Sequence, residues 1–147
     1  MLMNSNEYIE VFTAVKRRIQ SAQYQAAVQV NREMILLYYG IGQIINAQKS
    51  WGNKFIDNLA KDIQLSFPGA TGYSVRNLKY MAKFAAEFPE EEFVQQAVAQ
   101  IPWGHITTLL DRVPEPAARA WYIDQIPLHG WSRNVLIHQI ESGLYDR

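Results

Sequence analysis

The sequence predicts an all-α fold: a compact helical domain with a long N-terminal helix and two helix-turn-helix-like units. Three observations carry that expectation. Apolar residues recur at helical spacing, and no run alternates as a half-buried strand does. No Pro or Gly interrupts the chain between Ser5 and Gly40. And one phrase occurs twice, Gly72-Tyr73-Ser74-Val75-Arg76-Asn77-Leu78 returning as Gly130-Trp131-Ser132-Arg133-Asn134-Val135-Leu136. Each copy sets a glycine turn and a serine cap before an amphipathic stretch, which is how the second half of a helix-turn-helix begins.

The elements follow in order. Ser5 or Asn6 can cap the first helix, whose stripe is Ile9, Phe12, Val15 and Ile19 with Tyr8 alongside. From about Glu7 to about Gln48 the chain reads as one very long helix, or as two bent near Ser21 to Gln25. The single helix would span roughly 60 Å at 1.5 Å per residue, more than a domain this size needs, and it invites a partner helix. Gly40 and Gly42 let another backbone approach closely. Asn53, after Trp51-Gly52, caps the next helix, with Phe55, Ile56, Leu59, Ala60 and Ile63 inward and Phe67-Pro68-Gly69 as its end.

Ser74 then caps a helix to about Phe88. Pro89 opens the following one, where Glu90, Glu91 and Glu92 meet the positive end of the helix dipole. Ile101-Pro102 is a break, and a short helix runs from Trp103 to about Arg112. Another spans Glu115 to about Ile126, with Ala120, Ile123 and Trp121 inward. Pro127 to Trp131 forms the second turn. Ser132 caps a last helix that Gly143 stops. The organisation expected is a single domain over 1–147: a helix or helix pair at 5–50, a first unit at 51–88 and a second at 89–147.

Bulk properties bound the function. Of the 147 residues, 48% are hydrophobic and 12% aromatic, enough for a real core. Cysteine is absent, which removes disulfides, thiolate nucleophiles and cysteine-held zinc and fits a cytoplasmic location. Met1 to Glu10 lacks the basic-then-apolar pattern of a signal peptide. Met34 to Ile45 is too short and too broken by glycine to cross a membrane. Lys+Arg and Asp+Glu number 14 each, so a nucleic-acid binder of this composition must gather its cations on one face.

The helix after Ser74 does so. At 100° per residue, Arg76, Lys79 and Lys83 fall within about 60° of one another. Tyr80 flanks them, and Leu78, Met81, Ala82 and Ala85 occupy the other side. Asp and Glu are absent between Asp62 and Glu87. Lys and Arg neutralise phosphates, and Arg and Asn also reach base edges. The candidate nucleic-acid-binding residues are therefore Ser74, Arg76, Asn77, Lys79, Tyr80 and Lys83, with Lys54 and Lys61 in support. Ser74 and the free N–H groups at its helix start could hold a phosphate. In the second copy, Arg133 shares a side with Leu136, Ile137 and Ile140, and no basic stripe forms. That helix reads as structural, with the Arg133 stem packed and its head paired.

No catalytic or metal set emerges. His105, His129 and His138 show no ligand spacing, and there is no phosphate loop and no G-x-S-x-G elbow. A metal, a cofactor and a small-molecule substrate are not expected, and the span reads as non-enzymatic.

In sequence order the phrases Val30-Asn31-Arg32-Glu33, Trp51-Gly52, Phe67-Pro68-Gly69, Gly72 to Leu78, Gln100-Ile101-Pro102-Trp103-Gly104-His105, Gly130 to Leu136 and Gln139-Ile140-Glu141 form a series. This series resembles the N-terminal domain of the YhcG-like family of bacterial proteins, over about Tyr8 to Arg147. The resemblance implies a helix-turn-helix or winged-helix-like DNA-binding module ahead of a C-terminal PD-(D/E)xK nuclease domain, which would lie beyond Arg147. One departure is Tyr39-Gly40-Ile41-Gly42, with glycine where the family leads one to expect an acidic residue. The functional expectation is a DNA-binding module that positions a nuclease. The alternative is a protein-interaction or homodimerisation module acting through the long N-terminal helix.

Overall fold

The structure, a computed structural model, describes residues 5–48 and 54–147. These form seven α-helices and two short 3-10 turns: α1 (Ser5–Asn46), α2 (Phe55–Ser66), α3 (Val75–Glu87), α4 (Glu91–Gln96), α5 (Trp103–Arg112), α6 (Pro116–His129) and α7 (Arg133–Glu141), with turns at Val98–Gln100 and Leu144–Asp146. No strand occurs among the described residues, so the helical units carry no β-hairpin wing there. The expected cap Asn53 and the pair Trp51-Gly52 lie outside the described residues.

α1 is a single helix of 42 residues, about 63 Å long at 1.5 Å per residue. Without Pro or Gly before Gly40, nothing in the chain bends it at Ser21 to Gln25. Only its C-terminal part enters the body, where Ile35, Tyr38, Tyr39, Gly42 and Ile45 are buried. Asn31 donates to the Ile101 carbonyl at 3.0 Å and Arg32 to that of Gln95 at 2.5 Å, which marks where the helix meets the rest of the protein. Tyr39 donates to the Phe88 carbonyl at 2.5 Å. Burial, with Glu91 nearby, holds the Tyr39 hydroxyl above its ordinary range and so keeps it a donor.

α3 lies across this buried half of α1. The crossing is close because position 42 has no side chain. A Cβ there would overlap the Met81 backbone carbonyl and come within 2.9 Å of Ala85 Cβ. Asn46 fixes the same contact by donating to the Ala82 carbonyl at 2.7 Å. Two apolar clusters result. The smaller joins Tyr38, Ile45, Ile56, Leu78, Met81 and Ala82 from α1, α2 and α3. The larger runs from Ile35, Tyr39, Phe84 and Phe88 through Val94, Ile106 and Leu109 to Ile123 and Leu136. Trp103 packs against both.

α6 departs from expectation twice. It runs through Pro127 to His129 rather than ending at Ile126. Pro127 forgoes the bond to the Ile123 carbonyl, but the helix closes beyond it through the Gly130 N–H on the Ile126 carbonyl. Its buried face is Ala118, Arg119, Tyr122, Ile123 and Ile126, with Ala120 and Trp121 only half-buried. Arg119, 2% exposed, donates to Glu87 at 3.0 Å and to the Pro114 carbonyl at 2.9 Å, and lies over the Phe88 ring. It therefore ties α6 to the end of α3, with a side chain that patterning assigns to solvent.

The two α1 glycines should respond oppositely to alanine. Gly42→Ala is expected to lower unfolding stability by about 2 kcal/mol or more, since overpacking against backbone cannot relax by a rotamer change. Gly40, whose Cβ position is open space, should gain up to about 1 kcal/mol from helix propensity. Denaturation followed by circular dichroism in dilute solution measures both.

Candidate nucleic-acid interface

The two repeated phrases fold alike at their starts. Gly72 and Gly130 take the left-handed region, at φ 94° and 63°, which favours glycine over any side chain. Ser74 and Ser132 cap α3 and α7, their hydroxyls accepting from Asn77 N at 3.1 Å and Val135 N at 3.2 Å. At Gly72 a second constraint applies, because a Cβ would sit 2.5 Å from the Tyr38 hydroxyl.

Arg76, Lys79 and Lys83 are all exposed on the outer side of α3 and line one open trough of about 520 Å³ with Tyr80. Their circumstances differ. Lys79 makes no hydrogen bond or ion pair among the described residues. Lys83 donates to the Leu110 carbonyl at 3.1 Å, in the last turn of α5, where a cation suits the negative end of the helix dipole. One of its three protons is thus committed to the fold. The Arg76 guanidinium lies over the Tyr80 ring, 5.6 Å from its centroid. Tyr80, and after it Asp111, holds Arg76 above its ordinary range.

Asp111 is the group that linear reading missed. It reaches the trough from α5 and accepts from the Tyr80 hydroxyl at 2.6 Å. The acid-free stretch of sequence therefore faces one carboxylate brought from elsewhere. That carboxylate orients Tyr80 and reduces the positive charge around it.

Asn77 is held at both ends of its amide. Its amide nitrogen donates to the Gly72 carbonyl at 2.6 Å and its amide oxygen accepts from Trp103 Nε1 at 2.7 Å. Both ends of the side chain brace the turn and the tryptophan, and each keeps a further proton or lone pair on the side where Asn77 lines the neighbouring cleft.

A second depression, of about 310 Å³, adjoins the trough through Arg76 and Tyr80 and opens at the start of α3. Ser74, Thr107 and Arg133 also line it. Arg133 donates through Nε to the Thr108 hydroxyl at 3.2 Å, and no carboxylate lies within ion-pair distance of it among the described residues. The expected pairing of its head is thus to a hydroxyl, and the rest of the guanidinium faces the cleft. Two arginines, one from each copy of the phrase, meet there without an acid. Helical wheels missed this because the wheel of α7 says nothing of what stands opposite. Lys61 borders the far side of the same turn, in a cavity it shares with Ser74.

Among the described residues no group of three or more His, Asp or Glu side chains could hold a metal, and no helix is long and apolar enough to cross a membrane.

A family model, the DUF1016 N-terminal domain, matches residues 14–147. The chain belongs to the DUF1016 N-terminal domain family. The phrases from Val30 to Glu141 pointed to this N-terminal domain, and it is a domain of unknown function. Comparison with the curated proteins and with the solved structures returns no match. Within the DUF1016 N-terminal domain, Asn77 and Trp103 join the repeated phrase to the core.

Asn77→Ala should leave the half-buried Trp103 N–H and the Gly72 carbonyl without partners, at a cost of about 1–3 kcal/mol in stability. The expected signature is a lowered denaturation midpoint with a red-shifted tryptophan emission.

Proposed function

We propose that this DUF1016 N-terminal domain is a non-catalytic module that binds duplex or structured DNA through its phosphates and positions a PD-(D/E)xK-type nuclease, attached or in partnership. The observation that supports the reading is the exposure of Arg76, Lys79 and Lys83 along one side of α3, next to the cleft that Arg133 faces. Four cations from two helices present donors to one continuous surface. The Ser74-capped start of α3 adds backbone N–H groups and a partial positive charge at its edge. Tyr80 offers a ring face beside them, held by Asp111.

In this reading Lys79 and Arg133 are the phosphate ligands with least structural duty, and Arg76 and Lys83 bind while also bracing Tyr80 and α5. The open, shallow shape of the trough suits a sugar-phosphate backbone better than an enclosed metabolite. The resemblance to YhcG-like proteins supports the nuclease-positioning role, and the absence of cysteine fits a cytoplasmic setting.

The test is fluorescence anisotropy with duplex, branched and single-stranded DNA at several salt concentrations. Replacing Arg76, Lys79 and Lys83 together with alanine should weaken binding and flatten its salt dependence, by about 0.9 in log–log slope for each phosphate no longer neutralised. Lys79→Ala and Arg133→Ala should each weaken binding, and Lys79→Ala should do so with the denaturation midpoint unchanged. Equal affinity and slope in the triple variant would sink the reading.

A further inference from the structure

α1 carries two apolar faces, and only one of them is used within the chain. At 100° per residue, the residues buried in the body (Ile35, Tyr38, Tyr39, Gly42, Ile45) occupy one side of the helix. On the opposite side Tyr8, Phe12, Val15, Ile19, Ala22, Ala26 and Val30 fall within an arc of about 80°, and Leu37, Gly40 and Ile44 continue it. This second stripe is open along its whole length: Tyr8 is 59% exposed, Phe12 52%, Val30 68%, Leu37 50% and Ile44 67%. From Ser5 to Val30 every residue is exposed except Thr13, which is half-buried. An apolar stripe about 55 Å long on a lone helix is a surface that soluble proteins cover.

We propose that a second copy of this chain covers it, the two α1 helices pairing antiparallel with Ala26 on the two-fold axis. Three features point to that occupant and direction. The first is shape. Antiparallel pairing about Ala26 sets Phe12 over Gly40 of the partner subunit, a ring against a position with no side chain, with Val15 over the partner's Leu37 and Tyr8 over the partner's Ile44. Gly40 has open space where a Cβ would be, inside a shallow apolar depression of about 600 Å³ that Leu36, Ile41 and Ile44 also line. Small residues at the axis, Ala22 and Ala26, let the helices approach closely.

The second feature is charge. Among the described residues Glu33 is the one charged group on the stripe, and it accepts a hydrogen bond from Gln29 of its own helix at 2.9 Å. In this register it faces Ile19 of the partner subunit, which Lys16 and Arg18 flank in the sequence. A parallel, in-register pair would instead set Glu33 against Glu33 and the Lys16-Arg17-Arg18 triplet against itself. The third feature is area. Seven large side chains about half exposed, with the alanines and flanking stems, give roughly 800 Å² per chain, so a pair buries about 1,600 Å², the standard size of a stable interface. The body leaves room for this, since it lies on the other side of α1. The surface is separate from the α3 trough and does not depend on the nucleic-acid reading.

The test uses the whole 147-residue chain in sedimentation velocity over a concentration series, alone and as Phe12→Glu and Ile19→Glu. Both positions lie on the exposed arm, so the body should stay folded, and circular dichroism checks that it does. The expected result is a dimer for the parent chain and a shift to monomer in both variants. A parent chain that stays monomeric throughout overturns the proposal and leaves the stripe to a different protein. A dimer that survives both substitutions overturns it as well. Direction is read by disulfide trapping, since the chain has no cysteine of its own. Ala26→Cys should cross-link to itself, and Phe12→Cys should cross-link to Gly40→Cys in a mixture. Tyr8→Cys should not cross-link to itself, because its copies would lie about 54 Å apart at 1.5 Å per residue. Self-linking of Tyr8→Cys would mean a parallel pair and would refute the geometry.

Discussion

The backbone contact between Gly42 of α1 and Met81 of α3 is the constraint on which the rest of the body rests. Two helices can approach this closely only where one lacks a side chain, and the approach fixes both their separation and their rotation. With Met81, Leu78 and Ala82 pressed toward α1, the residues opposite them in helical phase must face out. Arg76, Lys79 and Lys83 are outside for that reason. The same contact brings Phe84 and Phe88 beside Tyr39, where the larger cluster begins. Trp103 then closes the gap between the two clusters, with its ring against Tyr38 and Phe84 and its N–H on Asn77. The turn of the first repeated phrase is thereby tied to the start of α5.

Polar side chains divide into those that hold helices together and those left to the surface. Asn31, Asn46, Asn77 and Arg119 each bind a backbone carbonyl of a different element or turn. Such bonds specify register better than apolar contact, because a slipped helix would leave the carbonyl unpaired. Lys79 and Arg133 stand apart from this group, since neither supports a carbonyl.

Periodicity and punctuation made the helices legible before the structure. The unbroken run to Gly40, the Ser74 and Ser132 caps and the glycine turns rest on local chemistry, and local chemistry is written in consecutive residues. The fate of the α1 stripe was not legible. Tyr8, Phe12, Val15 and Ile19 have the spacing of a core face, and no pattern within a helix says whether a neighbour exists to meet it. The same holds for the candidate site. Lys79 and Arg76 were found because one helix carries them, whereas Asp111 and Arg133 arrive from α5 and α7, and only packing brings them together. The structural duty of Asn77 was hidden for the same reason, since its partners lie at Gly72 and Trp103. Pro127 misled for the opposite reason: it breaks one bond locally, and the buried Ile123 and Ile126 on either side of the break keep the helix in place.

The continuity of α1 carries a mechanical consequence. From Tyr8 to Asn31 the helix rises about 35 Å, and a helix transmits rotation as faithfully as distance. Whatever is fastened near the tip is held at a set reach and at a set angle about the axis relative to the outer side of α3. One residue added to the arm would lengthen the reach by only about 1.5 Å but would swing the tip through about 100°. The arm is thus far more sensitive to the phase of a length change than to its size. Insertions near whole turns would be absorbed, and single-residue ones would point the tip the wrong way.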